Sequence, residues 1–177
     1  MEREAAAAVC ACALVVALGI WWYRTSSLCS SVLPSELRSA RLVYAERQFR
    51  SAGIVQIVAK LDRAYRNAAG ELVLVELKTR AADRVYESDV IELSAQRVAL
   101  MAQTQEAVAG HAYVFIQRPD RHAMEWHRVR LLEPLDVSAL ALRRQELLAG
   151  KAEPWPSCSP GLCRDCEFVQ LCDPPLQ

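Results

Sequence analysis

The sequence has no excess of either charge and little histidine. Its 21 Lys and Arg residues balance 21 Asp and Glu residues, and only three His residues occur, none of them before position 111. A formal charge of zero excludes a global basic field, the kind that signals nucleic-acid binding by itself. Internal repeats are absent, as are low-complexity tracts beyond one Ala-rich run. At 177 residues the chain has room for one domain with a real core, and not for a second enzyme domain.

The residues that indicate chemistry lie at the ends of two strand-like runs, Gly53–Asp62 and Glu71–Arg80. In the second run, ELVLVELKTR, alternation with period 2 places Glu76 and Lys78 on the same face, roughly 7 Å apart at ~3.3 Å per residue. The alternative is a solvated strand face that carries a Glu/Lys ion pair, because an E-x-K triplet also arises by chance.

A turn between the two runs predicts a hairpin. The stretch Asn67–Gly70 tolerates the positive φ angles that hairpin turns need, and antiparallel pairing around it puts Asp62 opposite Val75 or Glu76. Two carboxylates about 5 Å apart repel each other, and a divalent cation between them removes that cost. Oxygen ligands of this kind suit Mg²⁺ or Mn²⁺, and the ammonium of Lys78 would orient a metal-bound water or help to deprotonate it.

The N-terminal segment predicts a membrane anchor. Ala5–Tyr23 is uninterrupted and uncharged, spans about 28 Å as a helix, and ends in aromatic residues suited to a membrane interface. The leader MERE lacks the positive region of a cleaved signal peptide. Arg residues concentrate after the run, so the body of the protein is expected on the cytoplasmic side of a single-pass anchor. An Ala-rich buried helix or a wrongly chosen start codon are the alternatives.

The rest of the chain predicts one α/β domain over residues 31–152, between an anchor and linker at 1–30 and a cysteine-rich tail at 153–177. The core is expected to be a small mixed sheet flanked by helices. Besides the two runs above, the predicted elements are an amphipathic helix Ser35–Phe49, a helix from an N-cap at Asp89 to about Val108, strands His111–Arg118 and Met124–Leu132, and a helix Val137–Ala149.

The tail concentrates cysteine. Cys158, Cys163, Cys166 and Cys172 lie close together in a short segment with little core of its own, which suggests that a metal orders it. Zinc and a 4Fe-4S cluster both accept four thiolates, so the spacing does not choose between them. Disulfides compete with a metal, although a cytoplasmic location disfavours them.

Taken together, these parts resemble the PD-(D/E)XK nuclease superfamily, in particular its RecB-like and CRISPR-adaptation branch, whose exonucleases carry a C-terminal iron–sulfur cluster. The resemblance covers roughly Pro34 to Cys172. It depends on LDRAYRNAAGELVLVELKTR, on Gln96 in the following helix, and on the tail CRDCEFVQLC. It implies a restriction-endonuclease-like core and a metal-dependent enzyme that acts on DNA.

The resemblance also implies roles for individual residues. Asp62 and Glu76 would bind the catalytic Mg²⁺ or Mn²⁺, and Lys78 would serve the attacking water. Gln96 matches the Gln that opens a Q-x-x-x-Y motif near the substrate strand. Glu46 is similar to an acidic residue that relatives place on the first core helix as an extra metal ligand.

For the cluster, Cys163, Cys166 and Cys172 match the C-x2-C-x5-C end of the branch motif. The fourth ligand in that branch usually comes from far upstream, which favours Cys29, whereas local spacing favours Cys158.

The sequence departs from the branch at three points. Leu100 stands where the motif has Tyr, no His precedes Asp62 where many relatives use one near the metal, and a membrane anchor is not typical of the family.

The leading hypothesis is therefore a Mg²⁺-dependent nuclease that cleaves single- or double-stranded DNA. One alternative is a membrane-tethered, non-catalytic module of the same fold that binds nucleic acid or a protein through its Arg-rich face. Another is a redox or zinc-ordered adaptor in which only the cysteine tail matters.

Overall fold

The computed structural model describes residues 33–119, 124–155, 160–164 and 166. These residues divide between two compact units, the first ending at Val137 and the second beginning at Ser138. The predicted boundaries at residues 30 and 152 stay predictions.

In the described residues the first unit is built around a five-stranded sheet with the order β1-β2-β3-β4-β5. Strands β3 and β4 are parallel and the other neighbours are antiparallel, so the sheet is mixed, as the sequence predicts. The strands are β1 Arg41–Arg50, β2 Val58–Arg66, β3 Leu72–Thr79, β4 Val108–Gln117 and β5 Met124–Arg130. The helices are α1 Ser35–Arg38, α2 Glu87–Thr104, α3 Pro134–Leu148 and α4 Pro160–Arg164.

The predicted β2–β3 hairpin is confirmed. Its turn closes through a hydrogen bond from the N–H of Asn67 to the carbonyl of Glu71 (2.9 Å). Gly70 adopts a φ of 86°, a conformation that L side chains rarely take. Register places Arg63 opposite Val75, so the middle of β2 lies beside the middle of β3.

Strand β3 lies at the centre of the sheet and separates two apolar clusters. Leu72 and Leu74 belong to the cluster on the α2 side, whereas Val73 and Val75 belong to the cluster on the other side. All four side chains are buried. The alternation predicted for this strand is thus confirmed, and it directs the side chains at positions 76 and 78 towards α2.

Helix α2 forms the crossover that the parallel β3–β4 pair requires. It begins after Tyr86, whose backbone N–H donates to the carboxylate of Asp89 (2.8 Å), so Asp89 is the third residue of the helix and not its N-cap. The helix ends at Thr104, earlier than predicted, because Gln105 turns into the left-handed region at φ 59°. Its apolar side packs on the sheet through residues that include Leu93 and Leu100.

The predicted helix Ser35–Phe49 is wrong. Only Ser35–Arg38 is helical, and Arg41–Arg50 is strand β1, which pairs with β2 from Arg41 opposite Arg66 to Arg50 opposite Val58. The apolar positions of this segment fit either period, and pairing with a strand further along the chain decides between them.

The other predicted elements exist with shifted ends. The first predicted strand lies a few residues later, as β2, while the second is confirmed as β3. The last predicted helix begins at Pro134 and not at Val137, consistent with proline's preference for the first helical turn.

The predicted membrane anchor Ala5–Tyr23 lies outside the described residues. Within the part of the chain that the structure describes, no helix combines the length and the apolar character needed to span a bilayer.

Candidate active site

Glu76 and Lys78 form an ion pair near the end of β3. The Nζ atom of Lys78 lies 2.8 Å from Oε1 of Glu76, and the Glu76 residue is only 4% exposed. Burial raises the pKa of Glu76 and outweighs the hydrogen bonds from Lys78 and Gln96, which lower it; the charge of Asp62 raises it further. The buried carboxylate is therefore poised to gain from an added cation.

Gln96 on α2 fixes the second oxygen of this carboxylate. Its Nε2 donates to Oε2 of Glu76 (2.9 Å), and the residue is 2% exposed. Its own Oε1 is buried and has no hydrogen-bond partner among the described residues. A buried acceptor without a donor is costly, which makes this oxygen a natural ligand for a cation or a water.

Asp62 stands next to Glu76 across the hairpin. The pairing of β2 with β3 ends at Arg63 opposite Val75, and Asp62 and Glu76 are the next residues of the two strands, close enough for the charge of Asp62 to raise the pKa of Glu76. The Oδ2 atom of Asp62 accepts a hydrogen bond from the backbone N–H of Leu77 (2.9 Å), which holds the side chain against β3.

Glu92 is a site residue that sequence reasoning missed. Its Oε2 lies 2.8 Å from Nζ of Lys78, so the ammonium bridges the carboxylates of Glu76 and Glu92. The available signal was its position four residues before Gln96, which puts both side chains on one face of α2.

The contacts of Lys78 with Glu76 and Glu92 determine the direction in which its pKa shifts. Burial lowers the pKa of Lys78, but the hydrogen bonds and charges of Glu76 and Glu92 outweigh burial and raise the pKa well above its ordinary value. Lys78 in this arrangement is a fixed ammonium that stabilises negative charge and orients neighbouring groups. The other role considered for it from the sequence, helping to deprotonate a metal-bound water, stays a prediction.

Glu46 occupies a different setting from the one predicted. It lies on strand β1 and not on a helix, with a φ of 50° that is unusual for a residue with a side chain. Register places it across from Asp62, between the pairs on either side. Its Oε2 is 2.5 Å from Nζ of Lys60, and its side chain is 64% exposed.

In the described residues, no group of three or more His, Cys, Asp or Glu side chains is close enough to hold a metal ion. The predicted ligand set Glu46, Asp62 and Glu76 is thus not assembled around one point. Asp62 and Glu76 nevertheless fit Mg²⁺, which keeps several waters and needs only one or two protein carboxylates together with substrate oxygens. The unpartnered Oε1 of Gln96 is an oxygen donor of the same class.

His127 is the second residue that the sequence did not connect with the site. Glu76 pairs with Val114 on β4, and Val114 pairs with His127 on β5, so all three lie in one row across the sheet. Two strand spacings amount to about 10 Å. The Nε2 atom of His127 lies 2.7 Å from Oδ1 of Asp83, in the loop that leaves β3.

Comparison with known proteins decides the family. Residues 20–173 match the PD-(D/E)XK nuclease superfamily. The chain belongs to this superfamily. Its members are generally metal-dependent nucleases that use Mg²⁺ or Mn²⁺.

Other comparisons add little to the superfamily assignment. No curated protein matches significantly. The crystal structure of SSO0001 is similar at 16% identity, with a TM-score of 0.48, over 86% of this chain and 70% of that one. That similarity is too weak to assign a function. The superfamily match leaves the RecB-like, iron–sulfur branch a prediction.

Asp62, Glu76 and Lys78, the residues on which the resemblance depends, lie close together on β2 and β3. Leu100, at the branch's Tyr position, is fully buried in the apolar cluster and offers substrate no contact.

Only part of the predicted cysteine site is described. Cys163 is half-buried, Cys166 is exposed, and the backbone N–H of Cys166 donates to the carbonyl of Cys163 (3.3 Å). This turn brings the two ends of the C-x2-C segment together. The other candidate ligands, Cys29, Cys158 and Cys172, lie outside the described residues.

Proposed function

We propose that the protein is a metal-dependent nuclease that hydrolyses DNA phosphodiester bonds near the C-terminal end of β3. The observation that carries the proposal is the buried carboxylate of Glu76, which contacts Lys78 and Gln96 and lies beside Asp62. A solvated strand face, the alternative explanation of the E-x-K letters, does not bury a carboxylate at 4% exposure between two such partners.

Asp62 and Glu76 would hold Mg²⁺ or Mn²⁺. The bound cation would polarise the scissile phosphate and lower the pKa of a bound water. Gln96 fixes the orientation of the Glu76 carboxylate through its Nε2 hydrogen bond. Lys78 supplies a positive charge close to where negative charge builds up on the phosphate oxygens. Glu92 keeps this ammonium in place.

Two further parts of the proposal concern the ends of the chain. Cys158, Cys163, Cys166 and Cys172 bind a 4Fe-4S cluster that orders the tail, with Cys29 as the competing fourth ligand and zinc as the competing metal. Visible absorbance of anaerobically purified protein, with iron and zinc analysis, tests this; a colourless, zinc-loaded sample removes the cluster and leaves the nuclease proposal intact.

The segment Ala5–Tyr23 anchors the protein in a membrane with the nuclease domain on the cytoplasmic side. Fractionation of cells that express the full chain, or a chain lacking residues 1–30, tests the anchor. Recovery of the full chain in the soluble fraction would contradict it.

The decisive experiment compares cleavage of single- and double-stranded DNA with Mg²⁺, with Mn²⁺ and with chelator. Asp62→Asn keeps an acceptor for the Leu77 N–H but removes the charge, and Lys78→Met removes the ammonium while keeping most of the apolar stem. We expect each to lower the cleavage rate about 100-fold or more without unfolding the protein. The matched control is Lys151→Met, at an exposed lysine of the second unit.

Wild-type-like cleavage by either variant would sink the proposal. Metal-independent DNA binding with no cleavage by the wild-type protein would instead support the non-catalytic binding module.

A further inference from the structure

The loop that connects β3 to α2 carries a second cationic feature beside the candidate active site. It runs from Arg80 to Tyr86 and joins the strand that bears Lys78 to the helix that bears Glu92. The loop is held at its start and at its middle: the guanidinium of Arg80 donates to both oxygens of Asp89 on α2 (2.6 and 3.3 Å), and Asp83 contacts His127 on β5 (2.7 Å). The loop is therefore fixed once to the helix and once to the sheet.

Tyr86 organises the cations of this loop. The guanidinium carbons of Arg80 and Arg84 lie 4.6 and 4.8 Å from the centroid of its ring. Tyr86 is 37% exposed, and Arg84 is exposed as well. A guanidinium held over a ring does not use its N–H donors for that contact, so the ring restrains Arg84 while the donors stay available to a ligand.

Arg84 differs from the other charged residues of the loop in its ion pairing. Arg80 is paired with Asp89, and Asp83 is paired with His127. No carboxylate contact to Arg84 is present among the described residues, although exposed Glu87 follows shortly after it. An oriented guanidinium with free donors suits an anion with two oxygens in a plane, and phosphate is the anion that the neighbouring chemistry would bring.

Chain geometry relates Arg84 to the site. Arg80 is two residues beyond Lys78, about 7 Å along an extended chain. Tyr86 precedes Glu92, which contacts Lys78, by six residues, or about 9 Å along α2. A nucleic-acid strand covers such a distance in two or three nucleotides at ~3.4 Å each.

We propose that Arg84, held on the ring of Tyr86, binds a backbone phosphate of the substrate strand two or three nucleotides from the bond that is cut. This inference rests on the proposed nuclease function. It makes the loop a clamp that reads the sugar–phosphate backbone and not the base sequence.

Fluorescence anisotropy with labelled single-stranded and duplex oligonucleotides of mixed sequence tests the clamp, in chelator so that no cleavage occurs and over a range of salt concentrations. We expect Arg84→Ala to weaken binding about 10-fold. The slope of log K against log salt should fall by about 0.7 for single strands or 0.9 for duplex, the value for one lost phosphate contact. Tyr86→Leu keeps every charge but removes the ring, and it should weaken binding about 3-fold; Tyr86→Phe should bind like the wild type.

Arg143 provides a matched control. Its guanidinium carbon lies 4.8 Å from the ring centroid of Trp155, so it is also an arginine held against an aromatic ring, and it belongs to the second unit. Arg143→Ala should leave both the affinity and the salt slope within twofold of the wild type.

The outcomes separate the clamp from the nuclease. If the wild type cleaves DNA while Arg84→Ala keeps the wild-type affinity and salt slope, the clamp is overturned and the nuclease proposal stands. Equal losses in Arg84→Ala and Arg143→Ala would also overturn the clamp, because they would indicate a diffuse field. If binding depends on Arg84 but no metal supports cleavage, the clamp is supported and the nuclease proposal fails.

Discussion

The side-chain amide of Gln96 donates a 2.9 Å hydrogen bond to the buried carboxylate of Glu76, linking helix α2 directly to strand β3. Removing the amide leaves the carboxylate with one donor fewer in a nearly dry environment. We expect Gln96→Ala to lower the free energy of unfolding by about 2 kcal/mol, from the lost hydrogen bond and the cavity. The rate of metal-dependent cleavage should fall at least about 10-fold. Urea titration and a cleavage assay at saturating metal measure the two effects; an unchanged cleavage rate would contradict the positioning role of Gln96.

Glu92 should matter less than Lys78. Glu92 contacts the Lys78 ammonium but its side chain is 48% exposed, and such an ion pair contributes about 1 kcal/mol or less. Glu92→Gln should therefore lower the cleavage rate only a few-fold, whereas Lys78→Met should nearly abolish it. Steady-state cleavage by the two variants, prepared side by side, provides the comparison. Equal losses would mean that Glu92 takes part in the chemistry itself.

Asp89 is expected to be a principal support of the loop and the helix start. Its carboxylate accepts from Arg80 and from the backbone N–H of Tyr86, and the residue is buried. Asp89→Ala should lower the free energy of unfolding by about 3 kcal/mol, because it leaves the Arg80 guanidinium without its carboxylate and the Tyr86 N–H without its acceptor. Asp89→Asn keeps an acceptor for the Tyr86 N–H and should cost less. Denaturant unfolding of both variants checks this order, and a reversed order would contradict it.

Acidification should weaken the hydrogen bonds that join Glu106, after α2, to Tyr44 on β1 and Arg66 on β2. Hydrogen bonds from Tyr44 (2.7 Å) and from Arg66 to the Glu106 carboxylate hold the pKa of Glu106 below its ordinary value. Because the folded pKa is depressed, the stabilisation is fully present above the ordinary pKa of about 4.5 and is lost as the pH falls through the lower folded value. At pH 7 the free energy of unfolding of the wild type should exceed that of Glu106→Gln by about 1 kcal/mol.

The difference between these two proteins should shrink on acidification below pH 4.5, as measured by urea unfolding at several pH values. A difference that stays constant would assign the stabilisation to packing and not to charge.

Placing a tyrosine at position 100 should not add a substrate contact. Leu100 is fully buried in the apolar cluster on the α2 side of the sheet. Leu100→Tyr must fit a larger side chain with a hydroxyl into this cluster, at a cost of about 1–3 kcal/mol. DNA affinity should stay at the wild-type value in the folded fraction. Tighter binding by this variant would show that the helix reaches substrate at position 100 after all.

Local patterns predicted the parts of the fold that local chemistry determines. The alternation of β3 and the Asn67–Gly70 turn each depend on consecutive residues. The hairpin, which brings Asp62 close to Glu76, could therefore be predicted from the sequence. Strand β1 was missed because the segment's apolar positions suit a helix as well, and only pairing with β2 resolves them. Glu92 resembles any charged residue on a helix surface until Lys78 reaches it. His127 joins the row of Glu76 only through β4, a relationship between strands that no window of sequence contains.

The parallel pairing of β3 with β4 affects the order in which the proposed active site forms during folding. The hairpin that aligns Asp62 with Glu76 closes over a few residues and can form early, but Gln96 and Glu92 arrive on the crossover helix. Closing that longer connection is the entropically expensive, slow event in such topologies. A nascent chain that has formed only its hairpin would have the carboxylates of Asp62 and Glu76 close together. The Gln96 amide and the Glu92 carboxylate, which lie on the helix, would not yet be in place. Competence for catalysis should therefore appear late in folding, together with docking of α2, so a partially folded chain would carry no active nuclease.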